Sequence, residues 1–215
     1  MLLTLELICL ASSKLSQIKT PTHFNSRERY NRSNQTLTVL MLTYMSIRDE
    51  INHRCGEGRL YSLEPALPGI RLARTIFVSE DVNNALRRND DIRFGMLRGQ
   101  LDTFIGGGLI SVAEAPYDKD KTAYIARLDP ISDEAWQIRS IDPKPAIRVF
   151  GHFAETNVFV ALTWRYRKEL GGPGSKEWKD EINLCKAKWR NLFHPYKPHR
   201  GNDVSDYISG KYYLV

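Results

Sequence analysis

The chain has 215 residues, of which 42% are hydrophobic and 26% are charged. This length is enough for one ordinary hydrophobic core, and the composition is typical of a globular protein rather than a disordered one. The formal net charge is +6. A positive balance of this size favours an anionic partner.

The first 45 residues do not follow the pattern of a folded domain. Their opening apolar run has no basic residue before it and is interrupted by Glu6, which argues against a signal peptide and against a membrane span. Residues 13–44 are rich in Ser, Thr, Asn and Gln without a sustained period, as in a poorly ordered arm. Residues 1–45 are therefore predicted to be a disordered or non-native extension, placed before a second possible start at Met45.

The three cysteines, Cys9, Cys55 and Cys185, are far apart and form no CxxC pair. No histidine lies at metal-ligand spacing from any of them. This pattern favours a reduced, cytoplasmic protein that uses no metal and no cofactor. Cys185 falls on the apolar stripe of a predicted helix, so we expect its thiol to be buried.

Residues 46–69 carry three glycines and two prolines, which predict turns and at most a weak element. A strand is predicted over 71–78, and Ser79 is a suitable N-cap for a helix over 80–88. A second helix follows and ends at the triple glycine 106–108. Because a helix precedes these glycines and no Lys-Ser/Thr pair follows them, they do not predict a phosphate-binding loop.

Three short strands are predicted next, at 136–139, 147–150 and 158–162, each with alternating apolar and polar residues. The connections between them are short, so the strands are expected to be antiparallel neighbours. A helix over 176–193 follows, with apolar residues at steps of three and four. The C-terminal tail, 194–215, ends in Tyr, Leu and Val residues that predict one further short strand.

These elements predict a domain of the α+β class over residues 46–193. In this domain a small antiparallel sheet packs against two N-terminal helices and one C-terminal amphipathic helix. The positive charge is concentrated towards its end: between residues 165 and 200 stand ten Lys or Arg against four Asp or Glu. This segment alone therefore carries a formal charge equal to that of the whole chain.

Arginines occupy the polar side of the predicted strands. Arg139 and Arg148 lie on the first two strands, and Arg165, Arg167 and Lys168 follow at the end of the third. A guanidinium group stays charged and can hold two phosphate oxygens at once. A sheet that buries one face and collects guanidinium groups on the other is therefore suited to binding phosphate.

Five short motifs occur in a characteristic order, namely Leu101-Asp102, Gly106 to Gly108, Trp136-Gln-Ile-Arg139, Ile147-Arg148-Val-Phe150 and Ala161 to Lys168. In this order they resemble the RelE/HigB/ParE toxin superfamily, and most closely its phage-derived, HigB-like branch. The resemblance covers roughly residues 71–193. The chain departs from the family pattern by an insertion before the Trp-x-Ile-Arg strand and by having Thr163 or Trp164 where the family has His. Its C-terminal 22 residues also have no counterpart there.

The resemblance implies a RelE-like fold and a metal-independent endoribonuclease that cleaves messenger RNA, commonly within a translating ribosome. Such a protein is the toxin of a type II toxin–antitoxin system, and its partners are RNA or the ribosome and a protein antitoxin. The enzyme holds the attacking 2′-hydroxyl in line, neutralises charge on the phosphoryl group and transfers a proton. The catalytic residues implied are Arg139, Arg148, Arg165 and Lys168. The RNA contacts implied are Arg167, Lys179, Lys186 and Arg190. The candidates for proton transfer are His152, Glu155 and Tyr166.

Two other interpretations remain open. The same fold can serve as a non-catalytic module that binds an antitoxin or gyrase through its basic face. Alternatively, the chain is a basic nucleic-acid-binding protein of a mobile element, whose contact surface is the helix 176–193. Strand arginines such as Arg139 and Arg148 also often form ordinary surface ion pairs with Asp or Glu, which gives them no functional role.

Overall fold

A computed structural model of the chain describes residues 46–66, 68–88, 90–115, 123–172 and 174–215. The predicted arm, 1–45, lies outside these residues. The strands are β1 Leu60–Ser62, β2 Thr75–Ser79, β3 Ile110–Ala113, β4 Ile125–Arg127, β5 Ala135–Ser140, β6 Ile147–Glu155, β7 Val158–Tyr166 and β8 Tyr212–Leu214. The helices are α1 Ile47–Gly56, α2 Glu80–Leu86, α3 Ile92–Ile105, α4 Lys176–Phe193 and α5 Val204–Tyr207. Short 3-10 turns occur at Ile131–Asp133 and Arg167–Glu169.

In the part of the chain described, all eight strands join one mixed sheet in the order β1-β2-β7-β6-β5-β4-β3-β8. Its centre is the antiparallel run β4-β5-β6-β7, in which each strand pairs with the next one along the chain. Parallel pairs extend the sheet on both sides: β2 with β7, and β3 with both β4 and β8. The long strands β6 and β7 are therefore central, and two strands of three residues each, β1 and β8, lie at the edges.

Helices cover both faces of this sheet. On one face α2, α3 and α5 pack on a core that includes Trp136, Phe153 and Phe159, all three completely buried. On the other face α1 and α4 pack on apolar residues such as Phe150 and Leu162. Side chains alternate along a strand, so neighbouring residues of β6 enter different cores. We call the face of the sheet on which α1 and α4 pack the α4 face.

The helix α4 forms as its sequence pattern predicts. Ser175 caps it by accepting a hydrogen bond from the backbone N–H of Trp178, and the helix ends at Phe193, as predicted. Its apolar stripe, which includes Cys185 and Trp189, is buried against the sheet. Among the described residues, neither α4 nor another helix is both long and apolar enough to cross a membrane.

The predicted small antiparallel sheet with two N-terminal helices is wrong. The described chain has eight strands in a mixed sheet, and three helices precede β3. The first of these, α1, occupies 47–56 of the segment 46–69, for which turns and at most a weak element were predicted. It begins with a capping box in which Ser46 and Asp49 exchange hydrogen bonds, a signal that compensates for its few apolar residues. The face that carries the arginines is not open along its whole length either, since α4 packs on its apolar residues and the arginines are partly buried.

The segment predicted as a C-terminal tail is built into the domain. Tyr207 of α5 is fully buried, and its hydroxyl group accepts hydrogen bonds from Arg127 at 3.0 Å and from the backbone N–H of Gly201 at 2.8 Å. Strand β8 then pairs with β3. The folded unit therefore extends from Ser46 to Val215.

Candidate functional site

Three arginines form a row across the central strands. In the antiparallel register Arg139 of β5 is the direct partner of Arg148 of β6, which in turn is the direct partner of Arg165 of β7. Directly opposed residues point to the same face and have Cβ atoms about 5 Å apart. The row lies on the α4 face, at the end of the sheet where α4 begins. Like charges in this arrangement destabilise a sheet unless an anion offsets them.

Arg148, at the middle of the row, is half-buried. Its Nη1 donates hydrogen bonds to two backbone carbonyl oxygens, those of Ser140 at 3.2 Å and Ile147 at 3.0 Å. Burial is the main cause, and the nearby charges of Arg139 and Arg167 the secondary cause, of a pKa of Arg148 that is lowered to about 10. Among the described residues no carboxylate forms an ion pair with Arg148. This guanidinium is thus a partly desolvated cation next to two others.

Arg139 contacts a neutral partner on its own strand. Gln137 lies two residues earlier, on the same face, and is buried. In the amide orientation that satisfies both the oxygen and the nitrogen of Gln137, Oε1 accepts hydrogen bonds from Arg139 Nε at 3.3 Å and Nη2 at 3.2 Å. This contact orients the guanidinium, and the neutral amide of Gln137 adds no negative charge beside it.

Arg165, at the third position of the row, is held by α4. Its Nε lies 2.9 Å from Oε2 of Glu181, whose side chain is only 4% exposed, and its Nη1 donates to the carbonyl oxygen of Trp164 at 2.8 Å. A buried carboxylate needs a cationic partner to offset its desolvation. Arg165 therefore fixes α4 to the sheet and neutralises Glu181.

Arg167 completes the group from the 3-10 turn that follows β7. Its guanidinium lies over the ring of Trp178, 5.4 Å from the ring centroid, and it donates to the carbonyl oxygen of Gly171. In addition to its packing role, Trp178 therefore stabilises the guanidinium group of Arg167 through a cation–π contact. We call Arg139, Arg148 and Arg167 the arginine cluster.

Lys168 does not join the arginine cluster. It is exposed, and its Nζ lies 6.0 Å from the ring of Tyr166, which packs towards Phe94 of α3 on the other side of the sheet. The structure therefore separates the four residues implied as catalytic. Arg139 and Arg148 are neighbours, Arg165 is engaged by Glu181, and Lys168 lies on the opposite side.

The three candidates for proton transfer lie away from the cluster. His152 is buried four residues further along β6, which corresponds to about 13 Å of strand. Glu155 forms an ion pair with Arg48 at 2.5 Å. The hydroxyl group of Tyr166 donates to Asp91 Oδ2 at 3.1 Å, on the α3 side. The arrangement can therefore bind an anion, but none of these three groups is placed to move a proton at it.

The other implied RNA contacts lie along α4. Lys179 is exposed in its second turn, near the cluster end. Lys186 pairs with Asp133 at 2.6 Å, and together with Arg190 it lines a cavity near the far end of the helix. The sequence predicts one basic surface for Lys179, Lys186 and Arg190. The helix instead divides them between two places, and the contribution of residues 194–198 to the second place was not predicted.

Comparison of the chain with protein-family models, curated proteins and solved structures found no match.

Proposed function

We propose that this protein binds RNA through the arginine cluster, which grips the phosphate backbone. The observation that carries this proposal is the position of Arg148, whose half-buried guanidinium lies between Arg139 and Arg167 without a carboxylate partner among the described residues. Concentrating cations in this way is unfavourable in the free protein. A phosphate placed between them offsets the repulsion and accepts several charge-assisted hydrogen bonds.

The surroundings of the cluster favour a polymer with several phosphates over a single small anion. Exposed lysines flank it on two sides, Lys144 in the connection from β5 to β6 and Lys176 and Lys179 at the start of α4. Contacts to successive phosphates add up and make binding strongly dependent on salt. Such contacts position the nucleic acid without reading its sequence, so we expect little sequence preference from this surface.

Cleavage of the bound RNA is the second candidate function. It is favoured by the direct opposition of Arg139 and Arg148, since paired guanidinium groups suit a phosphoryl group that gains charge. It also needs a proton acceptor within hydrogen-bond reach. Since His152, Glu155 and Tyr166 are all engaged elsewhere, we favour the non-catalytic binding module.

The test is fluorescence anisotropy with a labelled single-stranded RNA and a DNA of the same sequence, at several salt concentrations between about 50 mM and 200 mM. The variants Arg148→Gln and Arg167→Gln should bind at least tenfold more weakly, and each should reduce the salt slope by about 1. Arg87→Gln is the matched control, because Arg87 is exposed at the end of α2, on the face away from α4.

Equal binding by wild type and Arg148→Gln would overturn the proposal, as would an equal loss in Arg87→Gln. Electrophoresis of the same RNA after incubation separates the two candidate functions. Intact RNA supports the binding module. Fragments that form with wild type and not with Arg148→Gln would instead establish the nuclease.

A further inference from the structure

A cavity of about 380 Å³ lies on the α4 face, at the end of α4 far from the arginine cluster. Its walls come from three elements: the turn 131–133, the last turns of α4, and residues 194–198 after the helix. It shares no residue with the arginine cluster. Cavities of this size hold small molecules in many proteins.

His152 lines this cavity and carries a buried hydrogen-bond acceptor that has no partner among the described residues. The side chain lines the cavity and is 99% buried, since its relative exposure is 1%. Nδ1 lies 2.8 Å from the backbone oxygen of Glu134, and because a carbonyl oxygen only accepts, Nδ1 carries the hydrogen. In the neutral ring Nε2 then holds a lone pair. Nε2 has no hydrogen-bond partner among the described residues.

The orientation of His152 is fixed from both sides. The ring of Trp189 meets it edge-on, with the two ring centroids 5.2 Å apart. Glu134, which accepts from Nδ1, has a left-handed backbone with φ 51°. A non-glycine residue in this conformation is strained by about 1 to 2 kcal/mol, and such strain is often found beside binding sites. The buried acceptor is thus held in place although leaving it unpaired costs about 1 to 3 kcal/mol.

The other residues that line the cavity determine the shape and charge of a ligand that fits it. Trp189 and Tyr196 supply aromatic surface, and two prolines, Pro195 and Pro198, add apolar area. Three cations, Lys186, Arg190 and Lys197, line the cavity against one carboxylate, that of Asp133, which is already paired with Lys186. A ligand is therefore expected to have a flat apolar body and a negative charge.

From these observations we infer that the cavity binds a small planar aromatic anion that donates an N–H or O–H hydrogen bond to His152 Nε2. Its charged group lies towards Arg190 and Lys197. Nucleoside monophosphates and hydroxylated aromatic carboxylates both have this chemistry. The inference does not depend on the proposed RNA binding, because no residue is shared between the two sites.

Isothermal titration calorimetry at neutral pH tests the inference, with the four common ribonucleoside monophosphates and 4-hydroxybenzoate as probes. His152→Asn is the decisive variant, because the shorter amide can still donate to the Glu134 oxygen but leaves no acceptor at the Nε2 position. Loss of that bond should weaken binding about tenfold. Arg190→Gln should weaken it as well, and His53→Asn is a matched control at an exposed site on α1.

The inference is supported if a nucleotide or 4-hydroxybenzoate binds the wild-type protein, binds more weakly to His152→Asn and binds unchanged to His53→Asn. The probe that binds also identifies the class of ligand. If no probe binds the wild-type protein, the inference is overturned. Binding that is unchanged in His152→Asn overturns it too. Arg148→Gln should leave probe binding at the cavity intact. The test of the cavity therefore succeeds or fails independently of the test of RNA binding.

Discussion

Glu134 and Tyr207 are joined by a hydrogen bond of 2.6 Å between the tyrosine hydroxyl group and Oε2 of the carboxylate. The same carboxylate oxygen lies 2.7 Å from Nη2 of Arg127, and all three side chains are buried. Seventy-three residues separate Glu134 from Tyr207 along the chain. This network therefore anchors the C-terminal segment to the sheet, next to the backbone oxygen that orients His152.

Tyr207→Phe should destabilise the protein by about 1 to 3 kcal/mol, because the hydroxyl group links the buried Glu134 and Arg127. Glu134→Gln should have a larger effect, about 3 to 5 kcal/mol, since it leaves Arg127 as a buried cation without its counterion. Urea denaturation measures both. Tyr213→Phe is the control, because Tyr213 is half-exposed on β8, and a loss of stability there equal to that of Tyr207→Phe would contradict the role given to the network.

Arg148→Met should stabilise the free protein while it abolishes tight RNA binding. The substitution removes a half-buried charge that lies opposite Arg139 and keeps most of the apolar stem. Relief of the repulsion is expected to raise the free energy of unfolding by about 1 kcal/mol. Thermal unfolding at low salt checks this, and adding salt should reduce the difference from wild type. A marked loss of stability would show that Arg148 serves the fold and not a ligand.

Local sequence patterns predict the longest elements and the last short strand, but not every short strand. The helix 176–193 is predictable because Ser175 caps it and its apolar stripe is continuous, and β8 matches the short strand predicted for the C-terminal segment. Strands β1 and β3 have three and four residues, too few to display alternation, and the parallel pairing of β2 with β7 joins segments that are far apart in the chain. These strands turn the small antiparallel sheet of the prediction into a mixed sheet of eight.

In the candidate site as well, local sequence patterns predict some features, whereas others depend on contacts between distant parts of the chain. Short connections imply that Arg139 and Arg148 lie on neighbouring strands, and the structure places them directly opposite each other. The capture of Arg165 by Glu181 depends on how α4 crosses the sheet, which no local pattern contains. The cavity at His152 likewise needs residues 194–198 to fold back over the end of α4.

Glu181→Gln should strengthen RNA binding. The change removes the carboxylate that neutralises Arg165, so a fourth cation becomes available beside Arg148. Glutamine keeps an oxygen that can accept from Arg165, so the helix should remain docked. We expect RNA affinity to rise several-fold at low salt, measured by anisotropy, with Glu177→Gln on the exposed side of α4 as the control. Weaker binding in Glu181→Gln would mean that the row must be held by Glu181 to function.

His152 should make the stability of the protein depend on pH in the weakly acidic range. Burial lowers the pKa of His152 to about 4 from its ordinary value of 6.5, and of the charged groups around the cavity Asp133 opposes this shift while Lys186 adds to it. The unfolded chain therefore binds a proton at higher pH than the folded protein does. The stabilisation is complete above pH 6.5 and is lost as the pH falls towards about 4, by about 3 kcal/mol in total.

The measurement is the free energy of unfolding of wild type and His152→Asn, determined by urea denaturation between pH 7.5 and about 4. Carboxylates whose pKa is lowered by hydrogen bonds, such as Asp49 and Asp206, titrate equally in both proteins, so the difference between the two isolates His152. Relative to wild type, the variant should gain stability as the pH falls, because its amide does not take up a proton. A difference that stays constant with pH would show that His152 takes up a proton as readily in the folded protein as in the unfolded chain, contrary to the effect expected from its burial.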